Sequence, residues 1–160
     1  MLTHTTMGSP IGELTLVNDD GTLAGIWMGA VPTARAHRIG DRRSTGFERA
    51  IDQLDGYFAG TRTGFDVPIA MRCDDFRLRV WQLLLRIPYG ETRSYGDLAR
   101  DLGDIGLARA VGVANARNPL PIVVPCHRVI GSDGSLTGYA GALERKRFLL
   151  DLERRPGRLF

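Results

Sequence analysis

The chain predicts an α+β protein: a small N-terminal unit of antiparallel strands plus a helix, followed by a mostly helical C-terminal domain that carries a helix-turn-helix and a cysteine site. Three observations predict this. Short β-branched runs separated by turn residues fill the start of the chain, and helical spacing takes over after Cys73. Near the C-terminus, the stretch Ile122-Val-Val-Pro-Cys-His-Arg-Val-Ile-Gly131 sets a thiol, Cys126, directly against His127. Pro119, Pro121 and Pro125 forbid helix there, and Ile122, Val123 and Val124 favour an extended chain, so the thiol is expected where a buried strand ends. Sulfur held rigidly beside an ionisable base is how a protein makes a nucleophile.

The elements follow in order. Residues 2–7, 11–18 and 22–28 are three expected strands, divided by Ser9-Pro10 and Asp19-Asp20-Gly21. A polar, Arg-rich stretch near 31–45 is expected to be loop. Phe47, Ile51, Leu54 and Phe58 recur at helical spacing, and Gly60 ends that helix. Residues 64–70 give one more expected strand. The boundary between the two parts is placed between residues 72 and 73.

In the second part, Asp74 or Asp75 can cap a helix whose apolar residues Phe76, Val80, Leu84 and Ile87 line one face, ended by Pro88-Tyr89-Gly90. Ser94-Tyr-Gly-Asp97 resembles a capping box, opening a helix from Tyr95 to about Asp101. Gly103-Asp-Ile-Gly106 is a tight turn before a helix from Leu107 to Asn115. Helix, glycine-bearing turn, helix is the outline of a DNA-binding helix-turn-helix, though any pair of short antiparallel helices produces it. The last of these helices is almost all small residues around Arg109, which suits close approach to another surface or close packing in the core. In the final helix, from Leu143 to about Arg155, Lys146, Leu149, Leu150 and Glu153 share a face. A carboxylate on an apolar stripe needs a partner, and His127 is the candidate; a frayed last turn with Glu153 in solvent is the alternative.

Composition excludes several classes. No apolar run approaches the ~20 residues needed to cross a bilayer, and no signal peptide is evident. The two cysteines, Cys73 and Cys126, sit in such different contexts that free thiols in a reducing, cytoplasmic setting are expected. Residues 1–72 hold 7 arginines against 8 acids, while residues 73–160 hold 13 arginines and one lysine against 10 acids. A net of −1 followed by +4 fits a polyanion-facing C-terminal half. His4 and His37 have no Cys or carboxylate at metal spacing, so no metal is expected.

Pro125-Cys126-His127-Arg128-Val129 resembles the active-site signature of the O6-alkylguanine-DNA alkyltransferases, the methylated-DNA–protein-cysteine methyltransferases. The resemblance extends in order through Val80-Trp81, Ile87-Pro-Tyr-Gly-Glu-Thr92, Ser94-Tyr95-Gly96, Ala108-Arg-Ala-Val-Gly112, Asn118-Pro119, Gly138-Tyr139 and the terminal helix to Glu153. It implies a supporting N-terminal domain and a C-terminal domain that binds double-stranded DNA and transfers the alkyl group. Cys126 would displace the alkyl group from O6 of guanine, or from O4 of thymine, in one irreversible step, without cofactor, metal or membrane. The site would have to depress the thiol pKa, a water would bridge Cys126 and His127, and Glu153 would orient the imidazole. Asn118 would tie the recognition helix to the active-site turn, and the Tyr95 hydroxyl would serve the leaving purine. The resemblance places Arg109 in the space vacated by a flipped base, with Ala108, Ala110, Gly112, Asn115, Thr92 and Ser94 at the minor groove. Tyr95, Pro121, Val129, Tyr139, Ala140 and Lys146 would line the substrate pocket. Ala140 stands where some members carry serine, so only a backbone amide could bond O6 from that position. The implied state is a monomer able to cluster on DNA and associated with the nucleoid. The competing readings are a lesion-binding module without transfer, and a Cys-His hydrolase, which the adjacency of Cys126 and His127 disfavours.

Overall fold

The structure is a computed structural model that describes residues 1–29, 31–136 and 143–154. It divides into two compact units, one comprising Met1–Met71 and the other beginning at Arg72. The α+β expectation holds.

In the first unit, β1 (Leu2–Met7), β2 (Leu14–Asp19), β3 (Thr22–Met28) and the two-residue β4 (Asp41–Arg42) form a sheet in the order β3-β2-β1-β4. The β2–β3 hairpin closes through Asp20 and Gly21, both at positive φ (50° and 85°), the backbone that a two-residue hairpin of matching twist requires. Helix α1 (Glu48–Ala59) ends as expected on Gly60, whose left-handed φ of 80° lets its N–H reach back to Gly56 and Tyr57. Asn18 on β2 donates to the Gly46 carbonyl at 2.8 Å, tying the sheet to the entrance of α1.

Two expectations for this unit need correction. The 31–45 stretch is not all loop: Thr33–Arg38 forms a 3-10 turn, and β4 adds to β1 in parallel. Residues 64–70 do not form a strand. Only Ile69 bridges to Leu23, through Leu23 N–H to Pro68 O (3.0 Å) and Ala70 N–H to Leu23 O (2.9 Å). A proline at 68 has no N–H to extend a ladder.

In the second unit, α2 (Asp75–Leu85) is capped by the Asp74 carboxylate accepting the Arg77 N–H at 2.9 Å. Helix α3 (Tyr95–Asp101) opens with the expected capping box: Ser94 Oγ accepts from Asp97 N–H (3.0 Å), and Asp97 accepts from Ser94 N–H (2.9 Å). Helix α4 (Ala108–Ala116) packs on both α2 and α3, and the buried Trp81 indole N–H donates to the Ala114 carbonyl at 3.0 Å. Strands β5 (Arg93–Ser94) and β6 (Val129–Ile130) pair in parallel, which brings the start of α3 beside the residues that follow the Cys-His pair. Helix α5 (Leu143–Glu153) buries Lys146, Leu149, Leu150 and Glu153, the face the spacing selects.

Candidate active site

The Cys126 segment is a turn and not the end of a strand. Ile122 has φ +76°, Val124 N–H bonds Leu120 O (2.8 Å), and Cys126-His127-Arg128 forms a single 3-10 turn leading into β6. Three prolines remove the donors a strand would need, so the β-branched run is spent on burial and not on pairing. Asn118 holds the turn closed: its amide donates to Val124 O at 2.7 Å and its carbonyl accepts from Leu120 N–H at 3.0 Å. Both bonds lie within the turn, so the Asn118 side chain braces the segment that leads to Cys126.

Glu153 lies in the interior and not in a frayed turn. Its Oε2 meets His127 Nε2 at 2.6 Å, with His127 wholly buried. Arg128, which sequence alone does not mark as a site residue, belongs to the same cluster: Nε donates to Glu153 Oε1 (2.8 Å), Nη2 to Oε2 (3.1 Å) and Nη1 to Ile87 O (2.6 Å). Gly90 N–H adds a further bond to Oε1 at 3.1 Å. Burial alone would push this carboxyl up, but the bonds from His127 and Arg128 outweigh it and hold Glu153 at about 2. An ionised carboxylate can only accept, so the imidazole carries its proton on Nε2 and Nδ1 is its basic nitrogen. Burial, with the charges of Arg128 and Lys146, keeps His127 below its ordinary range, and hence neutral, against the opposing pull of Glu153.

The resting thiol departs from expectation. Burial pushes Cys126 up to about 11, more than the hydrogen bond from Asn118 and the charge of Lys146 bring it down. Burial of the sulfur thus favours the neutral thiol, against the lowering by Asn118 and Lys146. Lys146 is fully buried, donates to the Val129 carbonyl at 2.5 Å, and stands 5.9 Å from the Tyr95 ring centre. Burial lowers it to about 8, so at neutral pH it still favours a nearby anion.

The remaining candidates divide by exposure. Arg109 and Ala110 are exposed on α4, with Ala108, Gly112, Thr92, Ser94, Tyr95 and Pro121 half-buried nearby in sequence or fold. Gly112 faces the Tyr95 ring: a Cβ there would stand 3.8 Å from it, so a larger side chain would crowd the ring. Ser94 is engaged as the cap of α3. Asn115 corrects the surface expectation: it is 1% exposed, and its amide donates to the Cys126 carbonyl at 3.2 Å. Its place one residue after Ala114 and four after Val111, both buried, was the available signal. Val129 is buried as well. Tyr139 and Ala140 lie outside the described residues. Cys73 and Cys126 are both free thiols, and among the described residues no group of three metal-binding side chains converges. No helix among them is long and apolar enough to cross a membrane.

Comparison with known proteins agrees with this geometry. The family model for the ribonuclease-like domain of 6-O-methylguanine DNA methyltransferase matches residues 2–71, and that for its DNA binding domain matches residues 75–155. The methylated-DNA–protein-cysteine methyltransferase of Mycobacterium tuberculosis is 51% identical over 156 residues, covering 96% of this chain and 93% of its own. The constitutive methylated-DNA–protein-cysteine methyltransferase of Bacillus subtilis is 42% identical over 158 residues, 94% of each chain. The crystal structure of the Mycobacterium tuberculosis O6-methylguanine methyltransferase superposes with a TM-score of 0.90 at 49% identity, covering 98% of this chain and 96% of that one. That of Mycobacterium tuberculosis OGT in complex with DNA superposes with a TM-score of 0.87 at 51% identity, covering 98% and 97%. A buried Cys-His turn backed by an ionised carboxylate, in a chain matched over both of its units, thus belongs to the 6-O-methylguanine DNA methyltransferase family.

Proposed function

We propose that this protein repairs alkylated DNA by moving the alkyl group from O6 of guanine, and from O4 of thymine, onto its own Cys126, once per molecule. The observation that carries the reading is the buried His127–Glu153–Arg128 cluster, whose first member directly follows Cys126 in the chain. Cys126 loses its proton to His127 through a bridging water, and Nδ1 is the basic nitrogen because Nε2 is committed to Glu153. The sulfur then attacks the alkyl carbon in line, forming the S–C bond as the C–O bond breaks. The electron pair leaves with the purine, which takes up a proton, with Tyr95 as the nearby donor. The thioether has no route back to thiol, so the protein is consumed.

DNA is held by the exposed face of α4, with base flipping into the pocket beside Tyr95, Pro121, Val129 and Lys146. The protein acts as a monomer, able to cluster on the duplex, where the DNA lies in the nucleoid. A labelled methyl group on duplex DNA tests the reaction: transfer should stop at one equivalent per chain. Continued release of product would mean a hydrolase, and binding without transfer would mean a lesion-recognition module.

Arg109 stands exposed at the first turn of α4, where it can fill the space left by the flipped base. Arg109→Ala should slow repair of duplex DNA at least about tenfold, since extrusion costs a few kcal/mol, while reaction with free alkylguanine base stays near the unmodified rate. Equal losses on both substrates would remove Arg109 from base extrusion.

A further inference from the structure

Arg128 sits inside the Cys-His signature, yet the transfer chemistry assigns it nothing. It is 6% exposed and spends every nitrogen of its guanidinium on an acceptor: Nε and Nη2 on the two Glu153 oxygens, and Nη1 on the Ile87 carbonyl. The Tyr89 ring lies 5.8 Å from the guanidinium carbon, and Gly90 N–H bonds Glu153 Oε1. The turn Ile87–Gly90 that follows α2 is thus fastened to the arginine and to the carboxylate at once. A buried ion pair is weak as a source of stability, because well-packed apolar residues often do as well. Its use here is better sought in what it does to its neighbour, His127.

We propose that Arg128 is a positioning residue for alkyl transfer, which fixes the Glu153 carboxylate against the Ile87–Gly90 turn and cancels its charge, so that His127 stays neutral with its proton on Nε2. The reasoning is electrostatic. A lone carboxylate 2.6 Å from the imidazole would favour imidazolium, which cannot accept the thiol proton. Bonded side-on to a guanidinium, the carboxylate keeps its hydrogen bond to His127 while the pair's net charge falls to zero. The charges acting on the imidazole are Glu153, which favours its protonation, and Arg128 and Lys146, which oppose it. Lys146 comes with Glu153 from α5; α2 also packs against this turn, and its buried residues Val80, Trp81 and Leu84 carry no charge.

The inference rests on His127 being the base in the reading above. Its experiment reads His127 directly, so failure of that reading and failure of this one are distinguishable. The titration of His127 is followed by nitrogen-resolved NMR on the full chain, alongside the pH profile of single-turnover transfer. Arg128→Gln should raise the His127 midpoint by about one unit or more, a tenfold gain in proton affinity, and carry the acid limb of the rate profile with it. Arg128→Lys, which restores the charge, should return the midpoint to that of the unmodified protein. Should Arg128→Gln fail to fold, the same change is made with Glu153→Gln, which removes both charges of the pair, and is compared with Glu153→Gln alone; the midpoint should again rise. An unchanged midpoint in the folded single variant, or between those two backgrounds, overturns the proposal.

Discussion

Cys126→Ser should abolish alkyl transfer, by at least about 10³-fold, while binding to alkylated duplex survives. The two side chains have nearly the same shape, so the turn held by Asn118 and Asn115 persists and the exposed face of α4 is untouched. What changes is the nucleophile. A thiol pushed up to about 11 is still within reach of a neighbouring imidazole when the substrate draws charge from it, whereas a serine hydroxyl is far less acidic and less polarisable. The check is paired: transfer of labelled methyl, and affinity for alkylated duplex by fluorescence anisotropy. Surviving transfer would place the nucleophile elsewhere.

Glu153→Ala should destabilise the protein by about 3–5 kcal/mol, because it strands the Arg128 guanidinium in the interior without its counter-charge. The same carboxylate makes stability depend on acid. Its folded-state value of about 2 lies below the ordinary 4.5, so between those values the unfolded chain binds the proton more readily than the folded one. The stabilisation, about 3 kcal/mol, is complete above pH 4.5 and is lost as pH falls through 2. His127 acts in the same sense, since its lowered value makes protonation below its ordinary range favour unfolding. Urea unfolding at neutral pH and at intervals down to pH 3 reads this directly: the stability gap between the unmodified protein and Glu153→Gln should shrink as pH falls. A gap independent of pH would show that folding does not hold the Glu153 carboxyl below its ordinary range. In transfer assays the Gln variant should be slower, with an altered pH profile, because its amide can present either an acceptor or a donor to His127.

What was legible in the sequence was mostly local. The face of α5 followed from spacing, and the Ser94–Asp97 capping box, the Asp74 cap and the Gly60 terminus each followed from one residue's short-range chemistry. The demand that Glu153 find a partner was legible too, because a charge on an apolar stripe cannot be left alone. The misses depend on the tertiary surroundings. β-branched residues at 122–124 suggested a strand, but with prolines on both sides the chain turned, and Ile122 took a positive φ that propensity alone would not assign. Arg128 escaped notice because arginine is ordinarily a surface residue, and only the fold carries its side chain back to Glu153 and Ile87. Asn115 was assigned to the DNA surface by its helix, although its periodicity put it beside buried Val111 and Ala114. The thiol's direction of shift also required coordinates: a neighbouring histidine suggests activation, and complete burial reverses it.

The decisive measurement is the intact mass of the protein after incubation with excess O6-methylguanine duplex, followed by peptide mapping. A gain of one methyl group, confined to Cys126 and unchanged by longer incubation, is the result this account predicts. A methyl group on any other residue, or an unaltered mass while the lesion disappears from the DNA, would contradict it.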